Sequence, residues 1–317
     1  MIRNYPLKKF TAMRVGGPAK YFTVVKSEKD LIEALSFAKK NRLKWYVLGE
    51  GSNMIVSDKG YKGLIIQNRI QKFELTPTLS LKKRGSSIKF ITAGAGNNLL
   101  EFIERLNRLS LSGLERMAGI PGSVGGAIYG CAGAYGQEIG DNLTRVRYSD
   151  GKSVKSLNNK QIKFGYRTSI FKKHKNWIIL EAEFRLKKRD SRKLEKTSRE
   201  TIKLRAVKYK PGLKSPGSFF KNIKLSDLPE SKRKEIIKLV PPDKVIYGKI
   251  PAGYLLEQIG ASGMKFGRIK VARHHGNLIC NSDGGKAADV RKLAKRLKTL
   301  VKNKFGITIE EEVQYLY

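Results

Sequence analysis

Between Ala118 and Gly136 the chain reads AGIPGSVGGAIYGCAGAYG, and no other stretch restricts the fold as much. Its seven glycines are interleaved with Ile120, Val124, Ile128, Tyr129, Cys131 and Tyr135, and it carries no charged residue. A flexible linker is rich in serine and other polar residues. An apolar segment with this many glycines belongs instead where buried backbone takes unusual dihedral angles or approaches a ligand closely. It is expected to form a wall of a binding site.

At 317 residues and 40% hydrophobic composition, the chain can bury a sizeable core and is expected to divide into two or three domains. No run of about 18 apolar residues is present to span a membrane. The opening MIRNYPLKKF lacks the apolar core of a secretory signal, so a cytoplasmic location is expected. Cys131 and Cys280 are the only cysteines, too few for a disulfide framework or a four-cysteine zinc site, and both are expected to be reduced. The histidines are His174, His274 and His275; on a strand the adjacent pair would face opposite sides, and no metal site is expected.

The charge is extreme, with 65 Lys+Arg against 27 Asp+Glu and a formal +38. Such a field attracts anions of any kind, nucleic acid and phosphorylated nucleotides included. From Arg185 to Lys214 there are thirteen basic residues and three acids, but the aromatic interleaving of a single-strand binding surface is missing. Lys286 to Lys304 has eight basic residues, yet Val290, Leu293, Ala294, Leu297, Leu300 and Val301 keep helical spacing, as in an amphipathic helix with a solvated basic face. Basic residues are spread over the whole chain, so a general compositional bias accounts for the charge better than a nucleic-acid interface.

Along the chain, Tyr21 to Val25 reads as a strand, and Ser27 with Asp30 forms a capping-box signature ahead of Leu31, Ala34, Leu35 and Ala38. A second strand, Trp45 to Leu48, empties into Gly49-Glu50-Gly51-Ser52-Asn53, after which Met54-Ile55-Val56 is again extended. In the Walker and dinucleotide fingerprints a glycine loop opens a helix, whereas here it leads into another strand. What is left is a nest of backbone N–H groups, helped by Ser52 and Asn53, that binds a pyrophosphate; on this string alone a plain tight turn accounts for it at least as well. Ile88 to Gly96 then reads as a strand with a turn, Asn98 to Arg108 as an amphipathic helix, and Leu143 to Tyr148 and Trp177 to Arg185 as strands. Arg167, in Gly165-Tyr166-Arg167-Thr168-Ser169, could bind a carboxylate bidentately, although most arginines are merely solvated or paired and this one, taken singly, does not stand out. Lys187 to Lys203 reads as an exposed helix or connector, and Ser218 stands between a glycine and Phe219-Phe220. Further on, Ala252 to Ile259 is expected to be helical, Lys270 to Asn281 strand-like, and Asp289 to Phe305 helical with Gly306 as its cap. A last strand carries Ile307, Ile309 and Val313, with Glu310, Glu311 and Glu312 among them.

Taken in order, GEGSN (49–53), IPGSVGGAIYGCAGAYG (120–136), GYRTS (165–169), GSFFKN (217–222), AGYLLEQIGASG (252–263), HHGNLICN (274–281) and EEEVQ (310–314) resemble the UDP-N-acetylenolpyruvoylglucosamine reductase family, also called UDP-N-acetylmuramate dehydrogenases. These are flavoenzymes of peptidoglycan precursor synthesis. The resemblance runs from about Thr11 to the last strand and implies an α+β protein. Its FAD-binding domain, of the vanillyl-alcohol oxidase/PCMH type, would have two parts, residues 1–68 and 69–199. A C-terminal α+β substrate-binding domain would follow over 200–317, its last strand returning to the FAD domain. The first two motifs alone indicate only the wider family of FAD-dependent oxidases, which is the alternative reading, with a basic nucleic-acid-binding protein a distant third.

The resemblance further implies that Gly49, Gly51, Ser52 and Asn53 lie near the pyrophosphate of a non-covalently bound FAD, and that Ile120, Pro121, Gly122, Ser123 and Gly126 line the cofactor. NADPH would be the co-substrate. Ser218 matches the proton donor, and Arg167 and Glu312 match the residues that stabilise the enolic intermediate. Tyr166, Asn222, Lys249 and His275 match positions that contact the UDP-sugar. A monomer acting on small molecules, with neither nucleic acid nor membrane as partner, is expected. Two features depart from the family pattern or restrict it. Cys131 stands where the family has asparagine, and Arg167 to Glu183 is too short for the tyrosine-bearing substrate loop, which places the chain in the subgroup without it.

Overall fold

The computed structural model describes residues 1–76 and 88–317. The architecture is α+β, in two compact units, each of which the chain enters more than once. One unit comprises residues 1–4, 20–50 and 62–207, the other 5–19, 51–61 and 208–317.

The first unit is organised by two sheets. Strands β1 (Ile2–Pro6), β2 (Pro18–Val25), β3 (Trp45–Leu48) and β5 (Tyr61–Asn68) form a sheet in the order β1-β2-β5-β3, with β3 and β5 parallel; β4 (Met54–Val56) is not part of it. The crossover from β2 to β3 is α1 (Glu28–Lys40). Its capping box forms as the sequence predicts: the Asp30 N–H donates to Ser27 Oγ at 3.1 Å and the Ser27 N–H to Asp30 Oδ2 at 3.1 Å. Leu31, Ala34 and Ala38 of α1 are buried against Val25, Leu64 and Ile66, a 3.6-residue stripe covering a sheet face.

The second sheet is antiparallel. It runs from Val154–Asn158 through Leu143–Ser149 and Ile178–Lys188 to β7 (Ile88–Gly94) and β6 (Phe73–Thr76), with Leu111–Ser112 also pairing with Ile178–Lys188. Helix α2 (Leu99–Arg108) lays Leu99, Phe102, Ile103 and Leu106 into the core formed with Ile91, Ala93, Ala182 and Phe184. The glycine-rich stretch is not continuous irregular wall, because α3 (Val124–Gly130) lies within it, capped by Ser123 and ended by Cys131 in the left-handed region at φ 46°. Three glycines in seven residues oppose a helix by roughly 1 kcal/mol each. Packing and hydrogen bonds override that propensity: Val124, Ala127 and Ile128 are buried, and the Val124 and Gly125 N–H groups donate to the carbonyls of Asn97 and Ala95, both at 2.9 Å.

In the second unit, helix Ala287–Phe305 buries Val290, Leu293, Ala294, Leu297 and Val301, the stripe read from the sequence except for Leu300, which is only half-buried, and Gly306 caps it at φ 67°. Its first N–H groups, of Ala287 and Ala288, donate to the Asp58 carboxylate at 2.8 and 3.0 Å. Two expectations need correction. Lys270 to Asn281 is not one strand but a hairpin of Ile269–Val271 and Ile279–Asn281, because a turn closes over residues 272–278 through the Leu278 N–H to His275 carbonyl bond of 3.2 Å and the Ala272 N–H to Leu278 carbonyl bond of 2.8 Å. His274 and His275 therefore sit in a turn and do not alternate across a strand. The final strand is shorter than its apolar pattern suggests: only Gln314–Leu316 pairs, parallel to β4. The preceding Glu310–Glu312 bonds to residues 219–221 through isolated backbone contacts.

Among the described residues no helix is long and apolar enough to cross a membrane.

Candidate active site

In the first unit the loop after β3 meets the cap of α3. A Cβ on Gly49 would come within 2.4 Å of Ser123 Oγ, so only glycine permits this approach. Ser123 is 2% exposed, and its hydroxyl accepts from the Gly126 N–H at 3.2 Å. With the N–H groups of Val124, Gly125 and Gly126 all bonded within the protein, α3 does not offer the open N-terminus that holds phosphate in a dinucleotide fold. The accessible surface is supplied by Ile120, Pro121, Gly122 and Gly126, with Ser123 beneath them. Glu50 is fixed by Arg69 at 3.1 Å and by the Asn98 side-chain amide at 3.1 Å, while Asn98 Oδ1 caps α2.

In the second unit Gly51 is left-handed at φ 67°, and a side chain on it would meet the Phe10 carbonyl at 2.7 Å. Its own carbonyl accepts from the Ala12 N–H at 3.3 Å. The Asn53 side-chain amide donates to the Glu312 carbonyl at 3.1 Å. Asn53 Oδ1 is buried and has no hydrogen-bond partner among the described residues, a state that costs free energy unless a ligand supplies a donor. The amide thus offers an acceptor rather than the N–H donor that a pyrophosphate would need. That chemistry suits a nucleotide hydroxyl or ring N–H. A left-handed glycine turn and a buried acceptor in the second unit suit a nucleotide, and the small-residue surface of the first unit suits a flat ring.

Arg167 is set by a tight turn. Gly165 and Thr168 exchange backbone bonds of 3.1 and 3.0 Å, leaving Tyr166 and Arg167 at the corner with Arg167 in the left-handed region at φ 56°. A non-glycine residue in this region is sparsely populated, and such strain gathers at functional sites. The guanidinium donates to the carbonyls of Cys131 at 3.1 Å and Gly133 at 3.0 Å. These bonds orient its plane, and neutral carbonyls do so without cancelling its charge. The glycine-rich stretch and the GYRTS motif are thus joined by Arg167 and also by Ser169, whose hydroxyl donates to the Tyr129 carbonyl at 2.8 Å. Cys131, the departure from the family pattern, is buried, and burial first and Glu138 second push its thiol up to about 12. Its side chain is inert, and its carbonyl positions Arg167.

In the second unit three separated motifs are zipped by backbone bonds. The Phe219 N–H donates to the Asn277 carbonyl at 3.0 Å, the Glu312 N–H to the Phe219 carbonyl at 2.8 Å, and the Lys221 N–H to the Glu310 carbonyl at 2.8 Å. Asn277, 2% exposed, grips Phe220 from both sides, accepting from its N–H and donating to its carbonyl, each at 2.8 Å. Phe219 and Phe220 are fully buried core anchors, each stabilising by about 1.5–3 kcal/mol, while the intervening geometry leaves Ser218 half-buried. Ser218 Oγ lies 2.9 Å from Tyr209 OH. Of the three consecutive acids, Glu310 pairs with Lys221 at 2.9 Å, and Glu311 holds Lys298 at 3.3 Å and accepts from the Tyr315 hydroxyl at 2.5 Å. Tyr209 carries no local sequence signal, and Asn277, although inside the HHGNLICN motif, shows no sign there of its hold on Phe220.

The weaker substrate candidates are dispersed over the second unit. Asn222 Oδ1 accepts from the Ala252 N–H at 3.1 Å, at the start of helix Ala252–Gln258, and Lys249 lies in a two-residue strand paired with Lys224. His275 Nδ1 meets Glu257 at 3.5 Å, and its Nε2 is buried with no partner among the described residues. Burial, followed by Lys208, lowers the His275 imidazole to about 4, so at neutral pH the Glu257 contact is a hydrogen bond to a neutral ring and not an ion pair.

The fold and the glycine surface define a flavin-binding class: residues 19–154 match the FAD binding domain family, and residues 208–316 match the UDP-N-acetylenolpyruvoylglucosamine reductase C-terminal domain. The chain is 41% identical to the UDP-N-acetylenolpyruvoylglucosamine reductase of Solibacter usitatus, over 98% of this chain and 95% of that protein. It is 35% identical to the protein of the same name from Carboxydothermus hydrogenoformans, over 100% and 94%. The crystal structure of UDP-N-acetylenolpyruvylglucosamine reductase from Thermus caldophilus superposes with a TM-score of 0.74 at 28% identity, covering 100% of this chain and 99% of that one. The chain belongs to the UDP-N-acetylenolpyruvoylglucosamine reductase family.

Proposed function

We propose that this protein reduces the enolpyruvyl ether of UDP-N-acetylglucosamine to UDP-N-acetylmuramate, with NADPH as reductant and non-covalent FAD as carrier, in peptidoglycan precursor synthesis. The observation that carries the reading is the backbone zipper that sets GSFFKN between HHGN and EEEV, so that motifs far apart in sequence converge. In this reading the protein is a cytoplasmic monomer that acts on small molecules and has no nucleic-acid partner.

Bound FAD supplies two-electron hydride chemistry. Gly49, Ile120, Pro121, Gly122, Ser123 and Gly126, with Gly51, Ser52 and Asn53, would hold it. Addition at C3 of the enolpyruvyl group pushes charge into its carboxylate. Arg167, oriented by two carbonyls, stabilises that charge more strongly in the transition state than in the ground state. Glu312 shares a proton with the same carboxylate oxygens, and Ser218 delivers the proton that completes addition at C2. Tyr166, Asn222, Lys249 and the neutral His275 bind the UDP-sugar, His275 through its unpartnered Nε2.

The purified protein is expected to be yellow and to release its colour on acid precipitation. No histidine lies in either cofactor motif, and the buried Cys131 thiol stays protonated at any pH of interest, so no nucleophile for covalent attachment is at hand. Flavin retained in the pellet, or turnover with oxygen in the absence of NADPH, would instead favour an oxidase of the wider family.

A further inference from the structure

Ser218 is assigned the proton for C2, yet an alcohol is a poor acid, and a bare alkoxide left in a half-buried place is costly. The structure supplies a second hydroxyl. Tyr209 OH and Ser218 Oγ are 2.9 Å apart, a geometry in which either can donate.

This pair is held from several sides. Tyr209 follows directly on helix Ser191–Lys208, and the carbonyl of Lys208, the residue before it, lies 3.0 Å from His274 Nε2. Its ring packs with Leu213 on a small cluster of Ala272, Leu278 and Cys280, and the Lys208 ammonium lies over the ring at 5.1 Å from the centroid. Leu278 acts on both partners, since its backbone bridges to Ser218 while its side chain belongs to the cluster under Tyr209. One residue therefore fixes the serine backbone and the tyrosine ring together, and a chance meeting of two surface hydroxyls would not show that.

We infer that Tyr209 is a positioning residue that holds the Ser218 hydroxyl and restores the proton Ser218 gives to substrate. This rests on the proposed reductase function. The electron pair at C2 takes the serine proton to form the C2–H bond; the electrons of the broken serine O–H bond take the tyrosine proton, and the negative charge ends on the phenolate. A phenol is a far stronger acid than an alcohol, titrating at about 10 in model compounds, so the relay replaces an alkoxide by a better anion. Water then returns a proton to the phenolate.

The test uses the intact flavoprotein. In Tyr209→Phe, bleaching of the flavin by NADPH should proceed at the wild-type rate, while reoxidation by the enolpyruvyl UDP-sugar slows by about 10- to 100-fold. The Ser218→Ala/Tyr209→Phe double variant should be no slower than Ser218→Ala alone, as expected of residues that act as one unit. Replacing Tyr209 with 3-fluorotyrosine keeps the ring and hydroxyl but makes the phenol more acidic, so the alkaline limb of the reoxidation profile should move to lower pH; a packing role would leave it in place. The fluorine resonance of that probe, recorded without substrate, should shift when Ser218 is replaced by alanine. Wild-type reoxidation and pH profile in the tyrosine variants would overturn the inference, as would equal slowing of both half-reactions. Wild-type protein that the sugar fails to reoxidise would overturn the reductase reading instead, and a fluorine signal indifferent to Ser218→Ala would then overturn the pairing as well.

Discussion

Ser218→Ala should divide the catalytic cycle in two. If Ser218 gives the proton to C2, it has no part in electron transfer from NADPH to the flavin, and anaerobic bleaching of the flavin should stay near the wild-type rate. Reoxidation by the enolpyruvyl substrate should slow by about 10² to 10⁴, the range for a positioned acid. The backbone should not move, because it is set by the Leu278 bridge and by the bonds of the following Phe219 and Phe220 to Asn277, none of which uses the serine side chain. Ser218→Cys should retain more activity than Ser218→Ala, since a thiol also donates. Stopped-flow measurement of the two half-reactions decides it: equal slowing of both would make Ser218 a structural turn residue.

The second large effect is expected at Arg167 and Glu312. In the proposed mechanism each acts on the substrate carboxylate, Arg167 by charge and Glu312 by sharing a proton. Arg167→Ala or Glu312→Gln should each lower the turnover of bound substrate by about 10² or more, the scale of a lost oxyanion stabiliser. Together they should lose less than the product of the two effects, because neither works fully without the other. Arg167→Lys should recover little, since a lysine cannot reproduce the planar fork that two carbonyls now orient. Single-turnover rates for both single variants and the double variant check this. Small, independent and multiplicative losses would mean that the two residues serve different purposes.

Local signals in the sequence were reliable where the physics is local. The capping box at Ser27, the helix that ends at Arg108, the stripe of helix Ala287–Phe305 and its Gly306 terminus all have short-range signals, and all are present. The motif order, read as a resemblance, reached the flavin-binding class and the family. What stayed hidden depends on partners distant in the chain. Asp58 caps a helix 229 and 230 residues later, and Asn277 grips a backbone 57 residues earlier; a single Asp or Asn gives no periodic trace of such a role. Tyr209 stands in a basic run and becomes meaningful only through the hairpin that carries Leu278. The apolar residues between Val271 and Ile279 mimic one long strand because two short strands and a turn satisfy the same alternation. Helix α3 is not legible in the sequence because its glycines argue against a helix, and that preference is reversed by the burial of Val124, Ala127 and Ile128 and by the carbonyls of Ala95 and Asn97.

In the proposed function this chain carries hydride from NADPH through FAD to an enolpyruvyl UDP-sugar. The direct measurement is an anaerobic titration in which NADPH first bleaches the flavin absorbance and the enolpyruvyl ether of UDP-N-acetylglucosamine is then added in known amounts. The absorbance should return with one sugar consumed per flavin, and the product should be UDP-N-acetylmuramate. A flavin that NADPH reduces but that only oxygen restores, whatever the amount of sugar added, would contradict it.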